Sequence, residues 1–201
     1  MKSINSDQET EELREKIVEA AENRFLTYGY GKTTMAEIAN DLNMSAANLY
    51  RYFQNKHDIA GSCAERCMSE RNERLRVAVR QPHLSASQRL HVFALEAFRY
   101  NLEMAKDSPK INEIVDIVSS QKQELVKEKL ESQISLIAEI LALGNESEEF
   151  EIDDIISTAQ SVYAALIIFD VPTFLSLYSK EEFESKAVNV VNLLLKGLTK
   201  H

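Results

Sequence analysis

The sequence predicts an all-α protein, and three observations carry that expectation. Only five Gly and three Pro stand among 201 residues, so few positions break a helix. Glu, Lys, Leu and Ala, all strong helix formers, are abundant. Apolar residues recur at steps of three and four, and no segment alternates at the two-residue step of a strand. About nine helices follow in two groups. Residues 1–56 read as an N-terminal three-helix, helix-turn-helix domain. Residues 57–201 read as a larger helical domain.

The elements are justified in order. In Thr10 to Tyr28, Leu13, Ile17, Ala21 and Phe25 form one apolar face. Gly29-Tyr30-Gly31 ends that helix, since Gly takes the left-handed conformation readily. Thr34 with Glu37 is a capping box for a second helix striped by Met35, Ile38, Ala39 and Leu42. Asn43-Met44 makes a turn, and Ser45 caps a third helix running to Phe53. Gln54-Asn55 breaks the chain before a fourth helix, from Lys56 to about Arg80, which Pro82 ends. Further helices fit 85–107, 109–119, 120–143, 152–169 and 180–199. Pro109 suits a helix start and Gly144 a stop. The acidic run 145–154 reads as a loop or helix entry, and Pro172 as an interruption.

The net charge of −9 opposes DNA, but its distribution matters more. Between residues 23 and 56, Arg24, Lys32, Arg51 and Lys56 outnumber Glu37 and Asp41. The acidic excess falls in the first 22 residues and after residue 90. Only the N-terminal part, from about residue 23, can face nucleic acid. No run reaches the ~18 apolar residues of a membrane span, and the polar start shows no signal peptide. The expected location is the cytoplasm, with both cysteines reduced. Cys63 and Cys67, four apart on one helix, suit a disulfide poorly and read as small buried hydrophobes. His57, His83, His91 and His201 do not cluster at metal-ligand spacing. No phosphate-loop, dinucleotide or nucleophile-elbow motif is present. The reading is therefore no enzyme, no metal and no cofactor.

The stretch TTMAEIANDLNMSAANLYRYFQNK, residues 33–56, carries the chemistry. Two short helices joined by a polar turn form a helix-turn-helix, whose second helix enters the major groove. Its tip is Ser45, Ala46, Ala47 and Asn48. Alanine can touch a thymine methyl, and Asn48 can bond adenine N6 and N7. Tyr50, Arg51 and Tyr52 carry polar tips suited to phosphates, and Lys56 can reach another. Backbone N–H groups at Thr33 and Thr34 offer a further phosphate site. Leu49 and Phe53, four apart, face inward.

This stretch resembles the DNA-binding domain of the tetracycline-repressor (TetR) family of bacterial transcription regulators. The shared features are Gly-Tyr ahead of paired threonines, the A-x-I-A core of the bracing helix, Ser at the cap, and L-Y-x-Y/H-F followed by x-x-K. The match covers about residues 10–60. By that resemblance Thr33, Thr34, Ser45, Ala46, Ala47, Asn48, Tyr50, Tyr52 and Lys56 fall on DNA-contacting positions. Tyr52 stands where many members have His, and Ala46 where Lys, Arg or Gln is common. The resemblance implies that residues 57–201 form a helical ligand-binding and dimerisation domain, giving a homodimer on a palindromic operator with an effector changing the spacing of its two reading heads. It implies a repressor released from DNA by its ligand. The alternative is a helical interaction protein of the same fold without DNA binding, motivated by Ala46-Ala47 and the acidic balance.

Two wide apolar faces near the C-terminus suit a four-helix dimer bundle. One carries Ile155, Ala159, Val162 and Leu166, the other Phe183, Ala187, Val191 and Leu194. A small-molecule site is expected to be apolar with a few polar groups. Its candidate walls are Phe93, Ala97, Asn101 and Met104 on one helix, Gln133 and Ile137 on another, and Tyr163. The expected effector is largely apolar, since an acidic domain discourages anions unless a buried charge overrides it.

Overall fold

The computed structural model describes residues 3–107 and 110–199. Pro109, expected to open a helix, lies outside them. The described residues form α1 (Ser3–Tyr28), α2 (Met35–Asp41), α3 (Ala46–Leu49), α4 (Lys56–Val79) and α5 (Ala86–Asp107). After these come α6 (Ile111–Gln121), α7 (Gln123–Glu146), α8 (Ile155–Asp170), a 3-10 turn (Pro172–Leu177) and α9 (Lys180–Leu198). The fold is all-α, as the breaker count and periodicity predict. One isolated bridge, Phe150 to Thr199, is the extended pairing present among the described residues.

By contact the chain divides into two compact units. Residues 1–67 and 107–126 form the first; residues 68–106 and 127–201 form the second. The first unit packs α1, α2, α3, the start of α4 and α6. Its core includes Ile17, Phe25, Ile38, Leu49, Phe53 and Ile59, each at most 3% exposed. The caps follow the sequence closely. Gly29 has φ +92°, and Asn43 takes the left-handed φ of 54° at the α2–α3 turn. Thr34 and Glu37 form the full reciprocal capping box, and Ser45 Oγ accepts from Asn48 N at 3.2 Å. Asn55 caps α4 by accepting from Asp58 N at 3.0 Å.

Helix α6 packs against α1 in this first unit. Glu113 accepts the Gly31 N–H at 3.1 Å, and Lys110 donates to Tyr28 O at 3.3 Å. At the other end Lys122 pairs with Asp58 at 3.0 Å.

The second unit gathers α5, α7, α8, α9 and the remainder of α4 around an aromatic centre. Phe98 stacks on Phe183 at 5.3 Å, and Phe169 meets Phe183 edge-on at 5.7 Å. Here the structure corrects the expected dimer faces. Ala159, Val162 and Leu166 of α8 and Phe183, Ala187 and Val191 of α9 are at most 2% exposed. They lie in this unit's own core cluster, with Ile155 and Leu194 half-buried at its margin. A wide apolar stripe on a helix marks burial, and a single chain supplies that burial here.

Three boundaries also differ. α1 begins at Ser3, ahead of the periodic stripe. α3 is a single α turn, continued to Phe53 by bonds such as Tyr52 N to Leu49 O at 3.0 Å. α7 runs through Gly144, which is not a stop: the Phe150 ring lies where a Cβ would stand. The chain then turns at Ser147–Glu149, with Phe150 N and Glu149 N both donating to Gly144 O.

Candidate functional site

The helix-turn-helix is held from behind and open in front. Leu49 and Phe53 are buried, and Arg14 clamps the far end by donating to Tyr52 O and lying 4.2 Å from the Phe53 ring centroid. Arg24 pairs with Asp41 and so ties α1 to α2. On the outer side Ser45, Ala47, Tyr50 and Arg51 are exposed, and Ala46, Asn48 and Tyr52 are half-exposed. Tyr50 at 53% is among the most exposed large apolar-bodied side chains of the chain.

Beside Ser45, which caps α3, three more of the expected contact residues have internal work. Thr33 is 1% exposed, and its hydroxyl donates to Gly29 O at 2.9 Å. Its N–H goes to Tyr30 O, and the Thr34 N–H goes to the Glu37 carboxylate at 2.8 Å. The Thr34 hydroxyl exchanges bonds with Glu37 as well, though Thr34 itself is exposed. Lys56 Nζ donates to Tyr30 O and Thr33 O, each at 2.6 Å, above the Tyr30 ring. Burial pulls its pKa down, while the Glu37 and Glu113 carboxylates push it up. Lys56 thus fastens the start of α4 to the turn before α2. Periodicity shows spacing but not which carbonyls lie within an ammonium's reach, so this role was invisible in the sequence.

In the second unit the candidate ligand residues divide by chemistry. Phe93, Ala97 and Ile137 are core, at most 2% exposed, and Met104 is half-buried. Asn101, Gln133 and Tyr163 are buried polar groups that meet others the sequence reading missed. Tyr163 Oη donates to Asp170 Oδ2 at 2.5 Å. Arg71 pairs with Asp170 Oδ1, and Lys129 Nζ lies 3.2 Å from Oδ2. Lys129 also reaches Asp170 O, and Asn101 reaches Phe169 O, each at 3.5 Å. Beside Arg71 on α4, Asn72 accepts from Gln133 Nε2 and donates to Ser132 Oγ at 3.1 Å. Arg71, Gln133 and Asp170 are at most 3% exposed. Burial pushes the Tyr163 hydroxyl up to about 12, with Arg71 pulling the other way, so it remains a donor. One sequence signal pointed here: Asp170 is the lone charge closing the uncharged run Ile155–Phe169.

A short reading helix braced by α1 and α2, carried on a larger helical body, defines a DNA-binding transcription regulator. Residues 17–63 match the family model of bacterial regulatory proteins, tetR family, and residues 86–191 match that of the tetracyclin repressor-like C-terminal domain. The chain belongs to the TetR family. Solved structures share its fold. A TetR-family transcriptional regulator from Pectobacterium atrosepticum is 19% identical with a TM-score of 0.71, over 96% of this chain and 97% of that one. The fatty acid degradation regulator FadR from Bacillus halodurans is 20% identical with a TM-score of 0.64, over 92% and 95%. SmeT in its triclosan complex is 16% identical with a TM-score of 0.64, over 93% and 91%. No curated protein matches the chain.

Proposed function

We propose that this regulator is a homodimeric repressor that leaves a palindromic operator when a small molecule occupies its second unit. The observation carrying the reading is the outer face of α3: Ser45 and Ala47 at the tip and Tyr50 and Arg51 beside it are exposed, with Ala46 and Asn48 half-exposed. Asn48 reads one base, the alanines meet thymine methyls, and Tyr50, Arg51, Tyr52 and Thr34 take phosphates. Lys56 and Thr33 serve chiefly by holding the turn. The head comprises residues 1–56 and the effector and dimer functions residues 57–201, with the protein acting in the cytoplasm on chromosomal DNA.

The triclosan bound to SmeT supports a small-molecule site in this fold. In this chain the buried polar groups Asn101, Gln133 and Tyr163, set among Phe93, Ala97, Met104 and Ile137, give such a ligand its orientation. The uncharged outer side of α8 supports the dimer. Ile156, Gln160, Ala164 and Ile167 are exposed there, with Leu193 exposed on α9.

A mobility shift with DNA flanking the protein's own gene tests the reading. Saturable, sequence-dependent binding is expected. Asn48→Ala should lose about 1–3 kcal/mol on operator and little on random DNA. Tyr50→Phe should weaken both alike at an unchanged salt dependence, since the phenol is neutral, and Arg51→Ala should flatten that dependence. Absence of binding at low and moderate salt sinks the reading in favour of a helical interaction protein.

A further inference from the structure

The Arg71–Lys129–Asp170 cluster is a carboxylate receptor already assembled, with a side chain of the protein as its occupant. A guanidinium from α4 and an ammonium from α7 converge on one carboxylate, and the Tyr163 hydroxyl donates to it as well. Cations on two separate helices and a phenolic donor on a third make the recognition set that carboxylates select. The occupant is poorly placed. Asp170 is the last residue of α8, where the helix dipole presents its negative end and disfavours an anion. Its own carbonyl competes for the same ammonium, since Lys129 reaches Asp170 O as well as Oδ2.

A second observation points to a ligand. Gln133 stands one helical turn beyond Lys129 on the same face of α7. Its Nε2 is spent on Asn72, yet its Oε1, in a side chain 1% exposed, accepts no hydrogen bond from the described residues. Such an acceptor is costly to leave unmade. Leu130 and Ile134 lie between or beside these polar positions on α7 and pack on the core, so the surroundings of the cluster are apolar.

We infer that the effector is an apolar molecule bearing a carboxylate, which displaces Asp170 from Arg71 and Lys129. This rests on the reading of the second unit as the effector unit and names the ligand's class. No bond is made or broken: one carboxylate replaces another on the same two cations. Gln133 Oε1 receives a donor group on the ligand body, where there is one. The displaced Asp170 frees the end of α8 from its tie to α4.

Full-length protein is titrated with hexanoate, decanoate and phenylacetate, each against its primary amide and its amine, by thermal shift and calorimetry. The carboxylates should raise the melting temperature, with roughly tenfold or greater preference over their amides, because charged hydrogen bonds exceed neutral ones. Lys129→Gln should erase that preference. Asp170→Asn should melt lower than wild type and be raised more than wild type by acetate or decanoate, which restore the missing anion. The inference is overturned if no carboxylate stabilises the protein, if amide or amine serves as well, or if the preference survives Lys129→Gln. Should Asp170→Asn fail to fold, the Lys129→Gln comparison decides alone. Selective carboxylate binding that leaves the operator complex intact upholds this site and overturns its regulatory role.

Discussion

At residue 144 the missing side chain is the informative one. A Cβ there would overlap the Phe150 ring, so the two residues share one space. Gly144 suits a helix interior badly on propensity, and the packing of Phe150, 3% exposed, overrides that. Gly144→Ala should therefore destabilise the protein by about 1–3 kcal/mol, the cost of overpacking, despite the better helix former. Urea denaturation would show it, and an unchanged or raised midpoint would contradict the shared-space argument. Cys63 shows the same priority of surroundings over type. Its thiol is buried, contacts Val18 O, and is pushed by burial up to about 12. It should stay unmodified by iodoacetamide at pH 8 in the native protein, since the thiolate is the reactive form. Mass spectrometry after digestion reads this, and rapid native labelling of Cys63 would refute it.

Helix ends decide the elements, and some caps come from far along the chain. Thr34, Ser45, Asp154 and Ser179 cap their own helices and were open to a local reading. The start of α5 is different. Glu149, more than 60 residues away, accepts from Ala86 N at 2.8 Å, Ser87 N at 3.0 Å and Ser85 Oγ at 3.2 Å. Burial alone raises its pKa, but the bonds from Ser87, Ala86 and Ser85 outweigh that and leave it below the usual 4.5. A carboxylate depressed in the folded state contributes stability in full above its unfolded pKa and loses it as pH falls through the folded value. Glu149→Gln should cost about 1 kcal/mol at neutral pH and soften the decline below the ordinary 4.5. Chemical denaturation across that range measures both, and parallel curves for variant and wild type would count against the cap.

On the scale of the whole molecule, the two apolar stripes expected to join two chains are spent inside one. What α8 leaves outside is uncharged: Ile156 at 59% and Ile167 at 39% exposed, with Gln160, Ala164 and Ala165 between them. Small residues at such a face let two helices approach closely. On the proposal that this face is the seam of a homodimer, the double variant Ile156→Glu, Ile167→Glu should run as a monomer in analytical ultracentrifugation, keep its helical circular dichroism and lose tight operator binding. A dimer that persists would place the interface elsewhere.

The sequence by itself determined the helical class, most element positions and the reading head. Those features are local: a capping box, a glycine after α1 and an apolar pair four residues apart act within a turn or two of backbone. It also offered Asn101, Gln133 and Tyr163 as candidates, the polar groups that an apolar small-molecule site is expected to carry. Only the tertiary structure decided what those stripes bury. It gave Thr33 and Lys56 to the turn before α2, placed α6 against α1, and drew Arg71, Lys129 and Asp170 to one point. The physical reason is range: a helix's period says which residues share a face, whereas an ion pair or buried ring depends on which distant face the chain brings opposite.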